Sequence, residues 1–196
     1  MKKIFLTLTI LILTFSTQIV ADTSNSIQRI YEGNKDAKVT IITYESFTCS
    51  HCADFHKNVY PQLKKEFIDA GLVKIEFRHF PLDMAALNAS KIAQCNNDGK
   101  SDLLHFLFSN QKKWAIGETV EVANENLKKL LKDENIAIDF EKCTNNKNIE
   151  DYVLNDRIEG VKKFKINATP TIIINNKKFD KSLNYKNLKK SIEKLI

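Results

Sequence analysis

The sequence contains no long apolar stretch beyond its first 21 residues, and this absence argues against an ordinary membrane-spanning helix in the rest of the chain. It also lacks any block of like charge interleaved with aromatic residues, although the formal net charge is +6. Lysines spread over predicted helix faces are typical of a solvated surface, so we do not expect nucleic-acid binding. Internal repeats and low-complexity segments are absent as well, and the remaining ~175 residues fit one domain with a sizeable core.

Residues 1–21 have the pattern of a secretory signal peptide. Lys2 and Lys3 precede an apolar run over residues 4–15, and a short polar stretch with a small residue at its end follows. The run is too short for an ordinary membrane span, and an uncleaved anchor is the alternative. We therefore expect residues 22–196 to form the mature, soluble chain in an oxidising compartment, where disulfides are stable.

The most informative stretch is Cys49-Ser50-His51-Cys52. The β-branched residues within residues 38–44 predict a buried strand just before it. Behind it, apolar residues recur at every fourth position, which is the mark of a buried helix face: Phe55, Val59, Leu63 and Phe67. The motif is therefore predicted to lie on a strand-to-helix turn, with Cys49 at the helix N-terminus.

This position gives the two cysteines different chemistry. Unpaired N–H groups and the partial positive charge of the helix N-terminus stabilise a thiolate, so we expect a lowered pKa for Cys49. His51, when protonated, adds positive charge near that sulfur. Cys52 follows one turn along the helix, where it can attack a mixed disulfide formed on Cys49. The pair is predicted to be a redox dithiol.

Two other interpretations of this cysteine pair stay open. Half of a zinc site is one, although such a site normally needs a second close Cys/His pair and Cys95 and Cys143 stand alone. A structural disulfide of an exported domain is the other, but it would not usually open a helix after a buried strand.

The chain in order predicts a mixed α/β arrangement. A brief edge strand is expected within residues 22–37. The first helix continues to about residue 70 with a kink at Pro61, and a half-buried strand follows at residues 73–77. Residues 82–165 have helical patterns throughout, and we assign their Leu/Phe-rich cluster to the core.

Strands return only near the C-terminus. The apolar residues 171–174 are expected to join the same sheet as the strand before the motif. Asn175 and Asn176 predict a hairpin turn, and Phe179 is placed on the returning strand. A C-terminal helix then ends the chain. The layout is a βαβ half, a helical block and a ββα half.

These features together resemble the thioredoxin superfamily: the signal peptide, the C-x-x-C at a strand-to-helix turn, the helical block, and Thr169-Pro170 before an apolar strand. More narrowly, the chain resembles the DsbA family of bacterial periplasmic thiol:disulfide oxidoreductases, of the alphaproteobacterial type. The motif is similar to that family's Cys-Pro-His-Cys, with Ser50 in place of proline. The resemblance implies a thioredoxin-like fold with an inserted all-helical domain.

The resemblance also implies roles for two residues far from the motif. Pro170 matches the family's cis proline, which lies against the redox cysteines, helps to bind substrate backbone and keeps metal away. Thr169 takes the preceding position, which in this superfamily affects substrate release and redox poise.

The implied function is that of a periplasmic disulfide donor without cofactor or metal. The Cys49–Cys52 disulfide would pass to reduced exported proteins through a mixed disulfide at Cys49. A monomer and a DsbB-like membrane protein that reoxidises it are implied by the resemblance alone. The nearest alternative is a disulfide isomerase or reductase using the same cysteines. A metal-binding or non-catalytic module on the same scaffold is a further alternative.

A second disulfide is also implied, because some family members carry one in the helical block. It would join Cys95 to Cys143, and two separate buried thiols are the alternative. If formed, this bond would contribute about 4 kcal/mol in the chain-entropy model, less any strain.

The remaining candidates concern proton movement. Thioredoxin-like proteins commonly bury an acid six residues before the first cysteine, and Thr43 takes that position here. Glu45, two residues closer on the same strand face, either substitutes for that acid or is solvated at the strand end. His56, His79 and His105 lack the cysteine context of the motif histidine, and we expect them to be structural or surface residues.

Overall fold

A five-stranded sheet lies at the centre of the computed structural model, which describes residues 26–196. The signal peptide predicted for residues 1–21 lies outside this range. The strands are β1 (Tyr31–Glu32), β2 (Val39–Glu45), β3 (Val73–His79), β4 (Thr171–Ile174) and β5 (Lys177–Lys178). They lie in the order β1-β3-β2-β4-β5. β2 and β3 run parallel, and the other neighbouring pairs run antiparallel.

β2 is the central strand, and its composition suits that place. All of its residues except Thr40 are buried. It pairs with β3 on one side and β4 on the other, so that Thr43 lies opposite both Phe77 and Ile172. β-Branched residues pack well in a strand that is covered on both faces. The prediction that residues 171–174 belong to the same sheet is confirmed.

Helices cover both faces of the sheet. Those in the described residues are α1 (Ser50–Asn58), α2 (Tyr60–Leu63), α3 (Met84–Gln94), α4 (Asp102–Ser109), α5 (Gln111–Trp114), α6 (Val120–Asp133), α7 (Phe140–Thr144), α8 (Lys147–Phe164) and α9 (Tyr185–Ile192). No helix of this part of the chain is both long and apolar enough to cross a membrane.

The region between β3 and β4 is helical, as the patterns within residues 82–165 predict. The Leu/Phe-rich cluster of α4 contributes three buried side chains to the core: Leu104, Leu107 and Phe108. Two short helices, α5 and α7, were not predicted, because a single turn has too few residues to show a helical period of apolar positions in the sequence. In α8, Ile158 and Val161 belong to the apolar pattern but are 46% and 44% exposed.

The prediction of one kinked helix from the motif to about residue 70 is wrong in detail. α1 ends at Asn58, α2 begins at Tyr60, and a π-helical turn spans Lys64–Ile68. Pro61 has no N–H and its ring crowds the preceding turn, so it begins a new helix rather than continuing the old one. All four positions of the predicted buried face are nevertheless buried: Phe55, Val59, Leu63 and Phe67.

The C-terminal hairpin turns at two asparagines. Asn175 and Asn176 have φ angles of +44° and +64°, a region that asparagine tolerates better than most residues. Phe179 lies just beyond β5 rather than on it, although its N–H still donates to the carbonyl oxygen of Ile172 at 2.9 Å.

A disulfide joins Cys95, at the end of α3, to Cys143 in α7, with the two Cα atoms 5.6 Å apart. The helix α7 has five residues, too few to be stable without tertiary contacts. The bond therefore holds this short helix against α3.

Replacing both cysteines, in Cys95→Ala/Cys143→Ala, should lower the free energy of unfolding by about 2–4 kcal/mol because the unfolded chain loses a cross-link. Urea unfolding of the two proteins measures this difference. Reactivity of Cys49 toward an alkylating reagent serves as the control for an intact fold. An unchanged free energy of unfolding would contradict the stabilising role.

Candidate active site

The C-x-x-C motif begins α1 just beyond the C-terminal end of the central strand, β2. Cys49 is the N-cap residue in extended conformation, and its carbonyl oxygen accepts from the N–H groups of Cys52 and Ala53 at 3.1 and 3.2 Å. Gln111 of α5 donates to the carbonyl oxygens of Phe47 and Cys49 at 2.8 and 2.9 Å. This buried glutamine, which sequence reasoning missed, fixes the turn that carries the reactive cysteine.

The two motif cysteines, both free thiols in the structure, differ in exposure. Cys49 is partly exposed, whereas Cys52 is 0% exposed. Only Cys49 can therefore be reached by a thiol from outside.

The pKa of Cys49 is lowered to about 5 from an ordinary value of 9.0. The largest cause is a hydrogen bond from the Cys52 thiol, which outweighs the opposing effect of burial. Thr169 and the backbone N–H groups of Cys52 and His51 lower this pKa further. The helix N-terminus thus acts as the sequence predicts, but the charge of the His51 imidazole is not among these causes.

The pKa of Cys52 is raised well above its usual range. Burial is the largest cause, and the hydrogen bond with Cys49 and the negative charge of Glu45 raise it further. The two thiols are therefore opposite in character, one an anion near neutral pH and the other firmly protonated.

Thr169 and Pro170 lie across from the motif at the start of β4, and the peptide bond between them is cis. The Cys49 Sγ lies 3.3 Å from the carbonyl oxygen of Thr169, at hydrogen-bonding distance for a thiol donor. The Oγ1 atom of Thr169 is buried and has no hydrogen-bond partner in the structure. The hydroxyl has no other partner in the described residues, and a hydrogen bond from the Thr169 side chain is one of the causes that lower the pKa of Cys49.

The exposed side of the motif borders a surface groove. Ser50 and His51 are exposed, and His51 lines the groove together with Pro170. The groove has a volume of about 890 Å³. Its other apolar walls come from α1 and the residue after it, and from the start of α9 and the segment before it: Phe55, Val59, Tyr185 and Leu183. The groove therefore connects the motif to the segment before α9.

Glu45 is buried, so the alternative that it is solvated at the strand end is wrong. Its Oε2 lies 3.0 Å from the Nε2 of His56, and its Oε1 is buried without a hydrogen-bond partner. Thr43 is also buried, but its hydroxyl donates within the sheet to the carbonyl oxygen of Glu76 at 3.4 Å. Glu45 is therefore the acid whose charge acts on Cys52.

Two histidines extend this contact away from the cysteines. The Nδ1 atoms of His56 and His105 lie 3.0 Å apart, and the Nε2 of His105 lies 2.7 Å from the Oε1 of Glu32. Sequence reasoning missed this network because its members are spread over β1, β2, α1 and α4. The one local signal was the place of His56, four residues after Cys52 and so one helical turn away.

Glu32 anchors the far end of this network. Burial alone would raise its pKa, but hydrogen bonds from His105 and three further residues outweigh that effect and hold the pKa below the usual range. The further donors are Ser101 at 2.6 Å, Tyr60 at 2.6 Å and Lys64 at 3.0 Å. Glu32 is therefore a carboxylate. His79 is separate from this network, buried and hydrogen-bonded to Gln94 at 3.2 Å.

A family model described as Thioredoxin matches residues 25–194. The structure is similar to the crystal structure of Wolbachia pipientis alpha-DsbA1, with a TM-score of 0.75 and 30% sequence identity over 88% of this chain and 96% of that chain. It is also similar to oxidised BdbD of Bacillus subtilis, with a TM-score of 0.68 and 25% identity over 85% of this chain and 91% of that chain.

Named relatives point the same way. Disulfide bond formation protein D of Bacillus subtilis is 30% identical over 83% of this chain and 74% of its own length. A Rickettsia bellii protein named as a protein-disulfide oxidoreductase is 34% identical over 118 residues, which span 54% of this chain and only 46% of that relative. Three further Rickettsia relatives are matched over 31% of their length, so the chain spans about half of these proteins or less. The chain belongs to the thioredoxin family and, within it, to the DsbA-like thiol:disulfide oxidoreductases.

Proposed function

We propose that this protein is a disulfide donor that oxidises thiols of exported proteins through Cys49. The observation that carries this proposal is the asymmetry of the dithiol: Cys49 is partly exposed with a pKa of about 5, beside the buried, protonated Cys52. A sulfur that prefers the anionic form is a good leaving group, and its reduced state is stabilised.

The reaction proceeds in two exchanges. A substrate thiolate attacks the Cys49 sulfur, the Cys49–Cys52 bond breaks, and its electron pair stays on Cys52, which takes up a proton. A second substrate thiolate then attacks the substrate sulfur of the mixed disulfide, and Cys49 leaves as a thiolate. Two substrate thiols are oxidised to one disulfide while the protein disulfide is reduced to a dithiol.

The direction of this reaction follows from the Cys49 thiolate. Whatever stabilises that anion stabilises the reduced dithiol relative to the disulfide, so the disulfide becomes a stronger oxidant. This relation is the one established for DsbA itself.

The groove beside Cys49 is the proposed site for the substrate polypeptide. Its apolar walls and its border at Thr169 and Pro170 suit an extended chain more than a folded surface. In this proposal Pro170 holds the substrate backbone next to Cys49, and His51 contacts the substrate. Thr169 adjusts the reduction potential of the dithiol and the release of the substrate from the mixed disulfide.

The setting proposed for this activity is the periplasm. It rests on the signal-peptide pattern of residues 1–21 and on the family, whose DsbA members work outside the cytosol. A DsbB-like membrane protein is the proposed oxidant that restores the disulfide, and the protein is proposed to act as a monomer without a cofactor.

The reduction potential tests the proposal most simply, by equilibration with glutathione buffers. We expect a value above about −180 mV, whereas a value near the −270 mV typical of thioredoxin would make the protein a reductase and contradict the proposal. Cys49→Ser should abolish exchange and Cys52→Ser should accumulate mixed disulfides. Equal loss of exchange without trapped intermediates would contradict the roles given to the two cysteines.

Thr169→Val removes a hydroxyl and keeps the side-chain shape. We expect the pKa of Cys49 to rise by about one unit, because a hydrogen bond to a charged group is worth about 1.5 kcal/mol. Ultraviolet absorbance of the thiolate against pH measures it. Thr171→Val is the matched control, because that hydroxyl donates to the carbonyl oxygen of Ala168 at 2.7 Å. The same pKa in both variants would show that the Thr169 hydroxyl plays no part.

The lowered pKa of Cys49 also makes the stability of the reduced protein depend on pH. In the unfolded chain this thiol titrates near 9.0, and in the folded chain near 5. The stabilisation it gives is complete above the unfolded value, decreases as the pH falls, and is lost below the folded value. Urea unfolding from about pH 5 to about pH 8 should show the reduced form gaining stability over the oxidised form as pH rises. A stability difference that does not change with pH would be the contrary result.

A further inference from the structure

The excess of positive charge in this protein lies at the C-terminal end of the chain. Residues 177–196 contain seven lysines and two acidic residues. Residues 26–176, the rest of the described chain, contain 21 basic and 21 acidic residues and thus have no formal net charge. Lysines occur over most of the surface, but outside this segment acidic residues balance them in number. The segment therefore gives its part of the surface a positive potential.

Most lysines of this segment have no acidic partner. The segment comprises β5, the loop after it and α9. The seventh lysine, Lys189, binds Glu66 at 2.6 Å and lies 4.0 Å from Glu193. We call the other six the C-terminal lysine cluster. They are all exposed and make no ion pair within the described residues: Lys177, Lys178, Lys181, Lys186, Lys190 and Lys194.

α9 holds part of this cluster away from the core. Leu188 and Ile192 are both 0% exposed and attach the helix to the main core. Lys186 and Lys190 each come two positions before one of these residues, which is about 200° around a helix of 3.6 residues per turn. The two lysines therefore lie one turn apart on the outer side of α9.

The same segment forms one wall of the groove beside the redox motif. Lys186 lines the groove together with Leu183 and Tyr185. Asp54, which is exposed on α1, lines the wall on the side of the motif. The groove thus has a negative charge on its α1 wall and a positive charge on its α9 wall, and the lysine cluster continues that positive charge beyond the groove.

We propose that the C-terminal lysine cluster selects substrate polypeptides that carry acidic residues close to the reacting cysteine. The proposal rests on the function proposed above, because it takes the groove as the substrate site. An acidic side chain of the bound segment pairs with Lys186 at the α9 wall, while apolar side chains contact Leu183 and Tyr185. The other lysines of the cluster attract the acidic segment before it enters the groove.

Charge complementarity of this kind acts mainly on the rate of encounter. A positive surface beside a binding site raises the local concentration of negatively charged partners and speeds their association, and salt screens this effect. Each exposed ion pair by itself adds little affinity. We therefore expect acidic substrates to react faster at low salt, without a large gain in affinity.

A polypeptide suits this arrangement better than an anionic membrane surface does. A bilayer meets a broad outer face and cannot enter a groove, whereas Lys186 belongs to the groove lining. Its apolar neighbours Leu183 and Tyr185 line the same groove. The positive charge and the apolar contacts thus share one concave site, which an extended segment with both kinds of side chain can fill.

Matched peptides test this selection. Dithiol peptides of one sequence carry Glu, Gln or Lys residues beside their cysteines, and the rate constant for their oxidation by the disulfide form of the protein is measured. Flanking charges also change the reactivity of the peptide thiols, so each rate constant is divided by that of the same peptide with a small uncharged disulfide. We expect the corrected rate constant of the Glu peptide to exceed that of the Lys peptide at least about tenfold at about 0.01 M salt, and to approach it at about 1 M salt.

The variant Lys181→Gln/Lys186→Gln/Lys190→Gln removes positive charge from the α9 wall and its surroundings. We expect the ratio of the Glu-peptide to the Lys-peptide rate constant at low salt to fall toward its high-salt value, because the charges that distinguish the two peptides are gone. The ratio is used because it does not depend on the overall activity of the variant.

A matched control separates this local effect from the net charge of the protein. Lys162→Gln/Lys163→Gln/Lys165→Gln removes the same charge, and these lysines are also exposed and make no ion pair within the described part of the chain. They lie at the C-terminal end of α8, where Phe164 and Ile166 pack on the sheet face opposite to the one that α9 covers. We expect this control to keep the ratio of the unmodified protein.

Several results would overturn the selection. They are equal corrected rate constants for the peptides, a preference that salt does not change, or the same fall of the ratio in the α8 control. Binding to vesicles of anionic phospholipid that depends on the cluster, together with equal peptide rate constants, would assign the cluster to a membrane surface and overturn it as well. Failure to oxidise even the Gln peptide would instead contradict the proposed function, because that peptide offers no charge to select.

Discussion

The stabilisation of a negative charge on one sulfur is the interaction on which the rest of this structure depends. The Cys49 sulfur accepts hydrogen bonds from the Cys52 thiol, from backbone N–H groups in the first turn of α1, and from the Thr169 side chain. None of these groups carries a charge. The anion is held by dipoles that the fold has already oriented, so it costs little reorganisation when the disulfide opens.

Each of these groups comes from a different part of the chain, and the fold brings them together. β2 delivers the motif to the sheet edge, and its pairing with β4 sets Thr169 and Pro170 opposite Cys49. The helical region contributes as well, since Gln111 fixes the backbone of the turn. The inserted helices thus help to shape the active site, in addition to covering it. The asymmetry of the two cysteines is a property of the whole fold.

Much of this could be predicted from sequence because the signals are local. The strand before the motif, the helix after it and the hairpin at Asn175 all follow from short patterns or from one residue's backbone preference. Pro61 was recognised as a disruption, but whether it kinks a helix or begins a new one depends on the packing around it. Ile158 and Val161 fit a helical period and yet face solvent. The period shows which residues share a face of the helix, but not whether another element covers that face.

The polar interior could not be predicted in the same way. Glu45 ends a strand, and only the packing of α1 and α4 decides that its carboxylate turns inward to His56 rather than outward to water. His105 is separated from His56 by 49 positions and from Glu32 by 73, so no local pattern connects them. A buried carboxylate paired with a histidine is costly unless its hydrogen bonds are satisfied, and this network satisfies most of them. The unpartnered Oε1 of Glu45 is the exception, and it belongs to the acid whose charge raises the pKa of Cys52.

The Cys49 sulfur prefers its anionic form in the reduced, folded protein. Titration of its thiolate absorbance in the unmodified protein, with Cys49→Ser as the baseline, measures this directly. We predict a single transition with a pKa near 5. A transition near 9.0, the ordinary value for this thiol, would contradict it.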